Sequence, residues 1–146
     1  MSNLASIYEC DTDKSRLDFD FIQAYLSDQS YWAKGRSKAR MQKAIANSLC
    51  FGLFEKESGQ QLGFARIATD YVVFAWLMDV FISPEYQGQG LGKFLIQSIL
   101  DHPSLQEVRG VGLKTKDAHG LYQQFGFERP NDPEVWMFKR IQEDKF

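Results

Sequence analysis

Hydrophobic positions recur along the first third of the chain with the spacing of helices. Asp18 is a favourable capping residue, and the apolar side chains that follow it share one helix face: Phe21, Ile22, Tyr25 and Leu26. Residues 27–35 are polar and aromatic and predict a loop. A second helix is expected from about Arg36 to Asn47, with its basic residues mostly outward.

The middle third carries strand patterns instead of helical ones. Residues 50–56 and 61–68 flank Glu57-Ser58-Gly59-Gln60, which predicts a hairpin with a glycine in its turn. A longer run from Val72 to Ile82 is apolar except for Asp79. Such continuous apolarity is typical of a central strand that is covered on both faces.

The last third predicts a helix, a strand, a second helix and further strands, in that order. The first helix follows a glycine-rich turn at residues 87–92. A strand is expected over residues 107–113, and a helix capped by Asp117 follows it. The final two strands are expected at residues 127–129 and 134–140. This order predicts an α/β fold, a mixed sheet with helices on both faces.

The glycine-rich turn has the sequence Gln87-Gly88-Gln89-Gly90-Leu91-Gly92. The first free N–H groups of a helix point away from it, and the helix dipole adds partial positive charge. Glycines let the backbone approach a phosphate that a side chain would keep away. The order of strand, glycine-rich turn and helix therefore predicts a binding site for a phosphorylated molecule.

Two common phosphate-binding loops fit this turn poorly. A P-loop needs Gly-Lys followed by Ser or Thr, whereas Gly92-Lys93 is followed by Phe94. A dinucleotide-binding loop needs Gly-x-Gly-x-x-Gly early in a βαβ unit, whereas these glycines alternate with other residues past the middle of the chain. Both alternatives are disfavoured.

Composition limits the class of protein and its partners. The chain has 146 residues, of which 44% are hydrophobic and 25% charged, as expected for a single domain over residues 1–146. A net charge of -2 provides no basic field for nucleic acid, and no apolar run is long enough for a membrane span. Cys10 and Cys50 make no disulfide framework, so we expect reduced thiols in a cytoplasmic protein.

Two motifs together resemble the GNAT superfamily of N-acetyltransferases. Gln87-x-x-Gly90-x-Gly92 is similar to its acetyl-CoA signature, which is Arg or Gln, two residues, Gly, one residue, and Gly or Ala. Residues 118–128 resemble the superfamily's penultimate helix and the strand after it. The resemblance covers roughly residues 50–140. It implies a mostly antiparallel sheet in which a central parallel strand pair splays apart.

The resemblance implies where acetyl-CoA, the expected co-substrate, binds. The pantetheine arm would lie between the splayed strands, against the backbone of Val80, Phe81 and Ile82. The pyrophosphate would rest on the N–H groups from Gln87 to Gly92, with Lys93 near the 3′-phosphate. Thr115 stands where the family commonly has an Asn that contacts CoA. No metal is expected.

Two residues are candidates for proton transfer. Tyr122 matches a tyrosine that the family often places near the thioester sulfur as a general acid; the alternative is a core tyrosine. Asp79 is the only charge in the long apolar strand. We expect burial to raise its pKa and to suit it to act as general base. The alternatives are a structural carboxylate at Asp79 and proton transfer through ordered water.

The family resemblance implies that the acceptor pocket lies at the loop between the first two helices and at the turn before the long strand. These segments supply Tyr31, Trp32 and Tyr71, an aromatic wall that suits a cation or an apolar acceptor. Arg36 is instead suited to hold a substrate carboxylate. Both interpretations stay open, as does simple packing of Trp32 in the core.

The resemblance thus implies an acetyl-CoA-dependent N-acetyltransferase. We expect direct transfer of the acetyl group to a primary amine of a small molecule, without an acyl-enzyme, because Cys10 and Cys50 lie outside the motifs. The alternative is a non-catalytic acyl-CoA-binding or regulatory domain of the same fold. No nucleic-acid or membrane partner is expected, and a homodimer is a further possibility because relatives commonly pair through their last strands.

Overall fold

A five-stranded sheet forms the centre of residues 3–142, which are the residues that the computed structural model describes. The strands lie side by side in chain order: β1 Tyr8–Asp11, β2 Leu49–Glu55, β3 Gln61–Thr69, β4 Ala75–Ile82 and β5 Val111–Leu113. Every neighbouring pair is antiparallel except β4 and β5, which run parallel. The prediction of a mixed, mostly antiparallel sheet is confirmed.

Helices connect and cover these strands. Their bounds are α1 Leu4–Ile7, α2 Phe19–Asp28, α3 Lys38–Ala46, α4 Leu91–Leu100 and α5 His119–Gln123. The Asp18 carboxylate accepts a hydrogen bond from the N–H of Phe21 and caps α2 as predicted. The Ser37 hydroxyl does the same for the N–H of Arg40, so α3 begins slightly after the predicted position.

Each face of the sheet has its own apolar core. One core lies under α4 and includes four side chains of that helix: Leu91, Leu95, Ile96 and Ile99. The other lies under α2 and α3 and includes Ile22, Leu26, Met41, Phe64 and Phe81. Helices therefore cover both faces, as the pattern predicted, and they hold β3 and β4 in the middle of the fold.

A bulge in β4 places a charge on one face of the sheet. The register between β3 and β4 shifts between Phe64 and Arg66, so β4 has one extra residue at this point. Asp79 has a φ of 57°, in the left-handed region that Asp tolerates better than most residues. Its side chain turns to the α2 and α3 face, where it meets Arg66. Strict alternation along β4 would have put it on the α4 face.

β4 and β5 pair over a short length and then separate. The paired residues are Ala75 with Val111, Trp76 with Gly112, and Leu77 with Leu113. From Met78 to Ile82, β4 has no strand partner on this side within the described residues. The predicted splayed parallel pair is therefore present, and it opens a gap between β4 and β5, the last strand of the described sheet.

The long strand begins at Ala75, so the predicted start at Val72 is wrong. The Asp70 carboxylate accepts hydrogen bonds from the backbone N–H groups of Val72, Val73 and Phe74, at distances of 2.9, 2.8 and 3.3 Å. These N–H groups point into the turn and cannot join the strand ladder. A local Asp turn thus overrides the apolar run, and the three side chains stay exposed.

The strands predicted at 127–129 and 134–140 do not form. Gly126, with a φ of 90°, closes the turn that follows α5, and the N–H of Phe127 bonds back to the Tyr122 carbonyl. Pro133 then starts a short 3₁₀ helix that ends at Val135, and residues 128–142 are exposed. The two prolines of this segment lack the N–H that a strand ladder needs.

Two shorter differences affect the elements around the gap. β5 spans only residues 111–113 of the predicted 107–113, because it pairs with β4 alone in the described structure. Asp117 does not cap α5; the preceding turn is closed by the Thr115 hydroxyl, which accepts a hydrogen bond from the N–H of Ala118 at 3.0 Å.

Candidate active site

The glycine-rich turn presents a row of unused backbone donors. Within residues 3–142, the N–H groups of residues 88–93 have no internal acceptor. Gly88 and Gly90 have φ values of 84° and 89°, which favour glycine, and Gly90 starts α4 without a side-chain cap. A Cβ on Gly88 or Gly92 would meet no atom within 4 Å. Free donors, a helix N-terminus and open space fit a phosphate group.

Gln87 and Lys93 stand at the two ends of this turn. The Nε2 of Gln87 donates to the Ile82 carbonyl at 2.9 Å, so this side chain holds the turn against the end of β4. Lys93 is exposed in the first turn of α4. Gln87 is therefore placed to position the turn through its side chain, whereas Lys93 is accessible to an anion.

A cavity of about 610 Å³ lies at the gap between β4 and β5. Its walls come from residues 76–80 of β4, from residues 113–118 at the end of β5 and after it, from the loop before α3, from Arg66 of β3, and from Tyr122. We call it the acceptor cavity. A second cavity of about 600 Å³ shares five lining residues with it: Trp76, Leu113, Lys114, Thr115 and Tyr122. These residues therefore stand where the two cavities meet.

The predicted pantetheine contacts lie along the unpaired edge of β4. Val80 lines the acceptor cavity, and Phe81 and Ile82 continue the same edge. The Phe81 ring is buried on the other side, where it stacks on Tyr25 with centroids 4.0 Å apart. Only the backbone of Phe81 is therefore placed to meet a ligand in the gap.

Tyr122 is both a packed residue and a wall of the cavity. It is 8% exposed, and its ring packs edge-on against Phe127 with centroids 5.6 Å apart. Burial, with smaller contributions from Tyr31 and Asp117, raises the pKa of Tyr122 to about 12. Its hydroxyl keeps its proton at neutral pH, as an ordinary tyrosine also does, so a proton is available for donation.

Asp79 accepts hydrogen bonds from three residues that are far from it in sequence. One carboxylate oxygen, Oδ1, accepts from the Trp32 indole N–H at 2.9 Å. The other, Oδ2, accepts from Nη1 of Arg36 at 2.8 Å and from Nε of Arg66 at 2.6 Å. The carboxylate is 1% exposed, and the two guanidinium side chains are 13% and 11% exposed. Asp79 is thus the centre of a nearly buried ion cluster.

The prediction that the pKa of Asp79 is raised is wrong. Burial alone would raise the pKa of this carboxyl, but the charges of Arg66 and Arg36 and their hydrogen bonds outweigh burial and lower it. The sequence shows the burial, since Asp79 lies in an apolar strand, but it does not show that two arginines fold against it. A carboxylate with a lowered pKa and three donors is a poor acceptor for a further proton.

Three of the four predicted acceptor-binding residues come together in the structure. Tyr31, Trp32 and Arg36 line the acceptor cavity. The Tyr31 hydroxyl accepts a hydrogen bond from the N–H of Lys116 at 3.0 Å, and its ring meets Trp32 edge-on at 5.0 Å. Tyr71 does not join them: it is 45% exposed in the turn between β3 and β4, outside the lining of both cavities.

The sequence reasoning missed four charged residues that line the cavity: Arg66, Lys114, Lys116 and Asp117. Arg66 follows the alternating pattern of β3 and looks like an ordinary outward-facing residue; only its pairing beside the β4 bulge brings it to Asp79. Lys116 lies in a loop with no motif of its own, and the fold brings it to Tyr31. The loop residue Thr115, which was predicted, lines both cavities.

Within residues 3–142, no three or more His, Cys, Asp or Glu side chains are grouped so that they could hold a metal ion. None of the helices in that range has the length and apolarity of a membrane span.

Comparison with known proteins adds the family. Residues 46–129 match the sequence model of the acetyltransferase (GNAT) domain, a range that includes the glycine-rich turn and Tyr122. The protein FG08082 of Gibberella zeae, assigned as an acetyltransferase, is 34% identical over 135 residues, covering 79% of this chain and 75% of that protein.

Solved structures agree with the family match. A Xanthomonas campestris pv. campestris protein assigned to the GNAT family is 43% identical, with a TM-score of 0.87 over 92% of this chain and 93% of that one. N-acetylglutamate synthase from Neisseria gonorrhoeae, in complex with coenzyme A and N-acetyl-glutamate, is 18% identical, with a TM-score of 0.69 over 87% of this chain and 30% of that one. At that identity the likeness concerns the fold alone. The chain belongs to the GNAT family of acetyltransferases.

Proposed function

We propose that this protein is an acetyl-CoA-dependent N-acetyltransferase that acetylates a primary amine of a small molecule. One combination of features carries the proposal: free N–H donors at the start of α4, the unpaired edge of β4, and a protonated tyrosine in the cavity beside that edge. The first two features fit CoA, and the third fits acyl transfer. The proposed unit is one domain over residues 1–146, acting in the cytoplasm.

The proposed binding mode follows the free backbone groups. The N–H groups of residues 88–93 hold the pyrophosphate, and Lys93 meets the 3′-phosphate. The pantetheine arm lies along β4 from Val80 to Ile82, where it completes the strand ladder, with Thr115 on the opposite wall of the gap. This mode places the thioester in the cavity that Tyr122 lines.

The proposed chemistry is direct attack by the amine. Its nitrogen forms a bond to the thioester carbonyl carbon, the bond from that carbon to sulfur breaks, and the leaving thiolate takes the Tyr122 proton. The nitrogen loses its extra proton to water, and a proton from water restores Tyr122. Burial raises the pKa of the Cys10 and Cys50 thiols to about 11, so neither is an activated nucleophile for an acyl-enzyme.

Asp79 takes a positioning role in this proposal, and water removes the amine proton. The carboxylate holds Trp32, Arg36 and Arg66 at the wall of the cavity. Its lowered pKa keeps it ionised at neutral pH, and within residues 3–142 the hydrogen bonds of its carboxylate go to these three donors.

A comparison of Tyr122→Phe with Tyr8→Phe tests the proposal. Tyr8 is equally buried at 8% exposure but lies in β1, outside the cavity linings. CoA release with an amine panel should fall about a hundredfold in Tyr122→Phe, with acetyl-CoA affinity unchanged, and should stay the same in Tyr8→Phe. Full turnover in Tyr122→Phe would show that Tyr122 is not the general acid. Acetyl-CoA binding without turnover of any amine would favour the non-catalytic alternative.

A further inference from the structure

The acceptor cavity carries an excess of positive charge. Its lining includes four cationic side chains, Arg36, Arg66, Lys114 and Lys116, and two carboxylates, Asp79 and Asp117, which leaves a difference of two positive charges. The whole chain has a net charge of -2, so this excess is local. The local field attracts anions into the cavity.

Arg36 retains donors that the ion cluster does not use. Its Nη1 bonds to Asp79 at 2.8 Å and to the Met41 sulfur at 3.5 Å. Within residues 3–142, Nε and Nη2 have no acceptor, and neither belongs to the fully buried polar atoms that lack one. Both nitrogens therefore reach open space. Arg36 lines the cavity and is only 13% exposed, and we infer that this space is the cavity.

The guanidinium of Arg36 is held in place from two sides. Asp79 fixes its end, and the Nε2 of Gln23 donates to the Arg36 carbonyl at 2.7 Å and fixes its backbone. A preorganised guanidinium loses little side-chain entropy when it binds, and its fork matches a carboxylate or a phosphate. Arg36 thus has the features of an anion-binding side chain.

The aromatic wall argues against a cationic acceptor. The Lys116 ammonium already lies over the Tyr31 ring, 5.2 Å from its centroid. A second cation at that face would meet this ammonium and two guanidiniums, which is unfavourable. The same positive groups disfavour the ammonium form of a bound amine and favour the neutral nucleophile.

From this arrangement we propose that the acceptor is a primary amine that also carries an anionic group, a carboxylate or a phosphate, and that Arg36 binds that group. The inference rests on the proposed acetyl transfer and names the substrate class for the same site. The sequence left two interpretations of the loop before α3: an aromatic wall for a cationic or apolar acceptor, or an arginine that binds an anionic group. The inference favours the arginine.

Matched amines test the substrate class. Amino acids are compared with their carboxamides and their decarboxylated amines, and phosphoethanolamine with ethanolamine, which separates the carboxylate from the phosphate source. We expect at least one anionic amine to exceed its neutral partners in kcat/KM by about tenfold or more, the size of one charge-assisted bidentate contact. Neutral amines that react as well as every anionic one would overturn the inference.

Variants test the role of Arg36. Arg36→Gln should raise KM for the preferred anionic amine and abolish the preference, whereas Arg36→Lys should restore part of it. Lys116→Gln keeps the Asp79 cluster intact and should weaken the preference even if Arg36→Gln unfolds. Lys139→Gln, at an exposed residue outside both cavities, should change nothing. An undiminished preference in both Arg36→Gln and Lys116→Gln would refute the assignment.

Binding of the amines can be measured separately from their acetylation, so the inference and the proposed function can fail independently. If no amine turns over, calorimetry of the same amines against the protein with CoA decides the substrate class. If only the anionic amines give a heat of binding, the inference is supported although the transferase proposal fails. If no anionic amine gives a heat of binding, the inference is overturned.

Discussion

Replacing Asp79 by Asn tests the ion cluster at the acceptor wall. The substitution keeps the size of the side chain, and Asn tolerates the left-handed φ of 57° as Asp does, so backbone strain is not introduced. The amide removes the negative charge. It leaves either its NH₂ or a neutral oxygen against Nη1 of Arg36 and Nε of Arg66, which lie 2.8 and 2.6 Å from Oδ2.

The expected loss of stability follows from burial. Removing one partner of a buried ion pair typically costs about 3–5 kcal/mol, because the other charge remains unpaired. The arginine side chains are 13% and 11% exposed and have some access to water. We therefore expect about 3 kcal/mol, at the low end of that range.

The pH dependence has a definite sign. The pKa of Asp79 in the folded protein is below its ordinary 3.8, so the carboxylate stabilises the fold fully above that value. This contribution is lost as the pH falls from 3.8 through the lowered folded pKa. The difference between the wild-type protein and Asp79→Asn should accordingly be constant near neutrality and shrink below about pH 4.

Denaturant unfolding at pH 7 and at a series of acidic pH values measures both the loss of stability and its dependence on pH. Asp28→Asn makes the same chemical change at an exposed position and should alter stability by no more than about 0.5 kcal/mol. A decrease in the free energy of unfolding of less than about 1 kcal/mol in Asp79→Asn at pH 7 would refute the reasoning, since an exposed ion pair alone contributes up to about that much. So would a difference that does not shrink in acid.

Two further predictions concern the glycine-rich turn and the thiols. Gly92→Glu should leave the protein folded, because an acidic side chain is favourable in the first turn of a helix, yet weaken acetyl-CoA binding about tenfold or more, because the new carboxylate enters the open space beside the free N–H groups and repels the pyrophosphate. Gly120→Glu in α5, where a Cβ also meets no atom within 4 Å, should leave the affinity unchanged; equal affinities of the wild-type protein and Gly92→Glu in calorimetry would contradict the proposed pyrophosphate site. Burial raises the pKa of Cys10 and Cys50 to about 11, so neither thiol should react quickly with a disulfide reagent at pH 8 until the protein is unfolded. Rapid labelling of the folded protein would show that the thiols are not protected.

The sequence predicts most of the fold because its strongest signals are local. The cap at Asp18 and the apolar face after it fix α2, and the apolar run before the glycine-rich turn fixes β4. The wrong strand start at Val72 also has a local cause, since one Asp side chain collects the N–H groups of three following residues. Periodicity does not record that competition.

The electrostatics of the site could not be predicted in the same way. The lowered pKa of Asp79 depends on Arg36 and Arg66, which meet it only through the β4 bulge and the packing of the loop before α3. The strands expected after residue 126 are a similar case, because strand formation depends on a partner strand as well as on the apolar pattern of the segment. Contacts between distant segments carry no periodic signal in one sequence.

Calorimetric titration of the wild-type protein with acetyl-CoA, CoA and a longer acyl-CoA tests the central claim most directly. If the N–H groups of residues 88–93 and the open edge of β4 form the site of an acetyltransferase, acetyl-CoA should bind with micromolar affinity and more tightly than the longer acyl-CoA. Gly92→Glu should lose most of that affinity while it remains folded. No binding of any of the three CoA compounds by the folded protein would contradict the account.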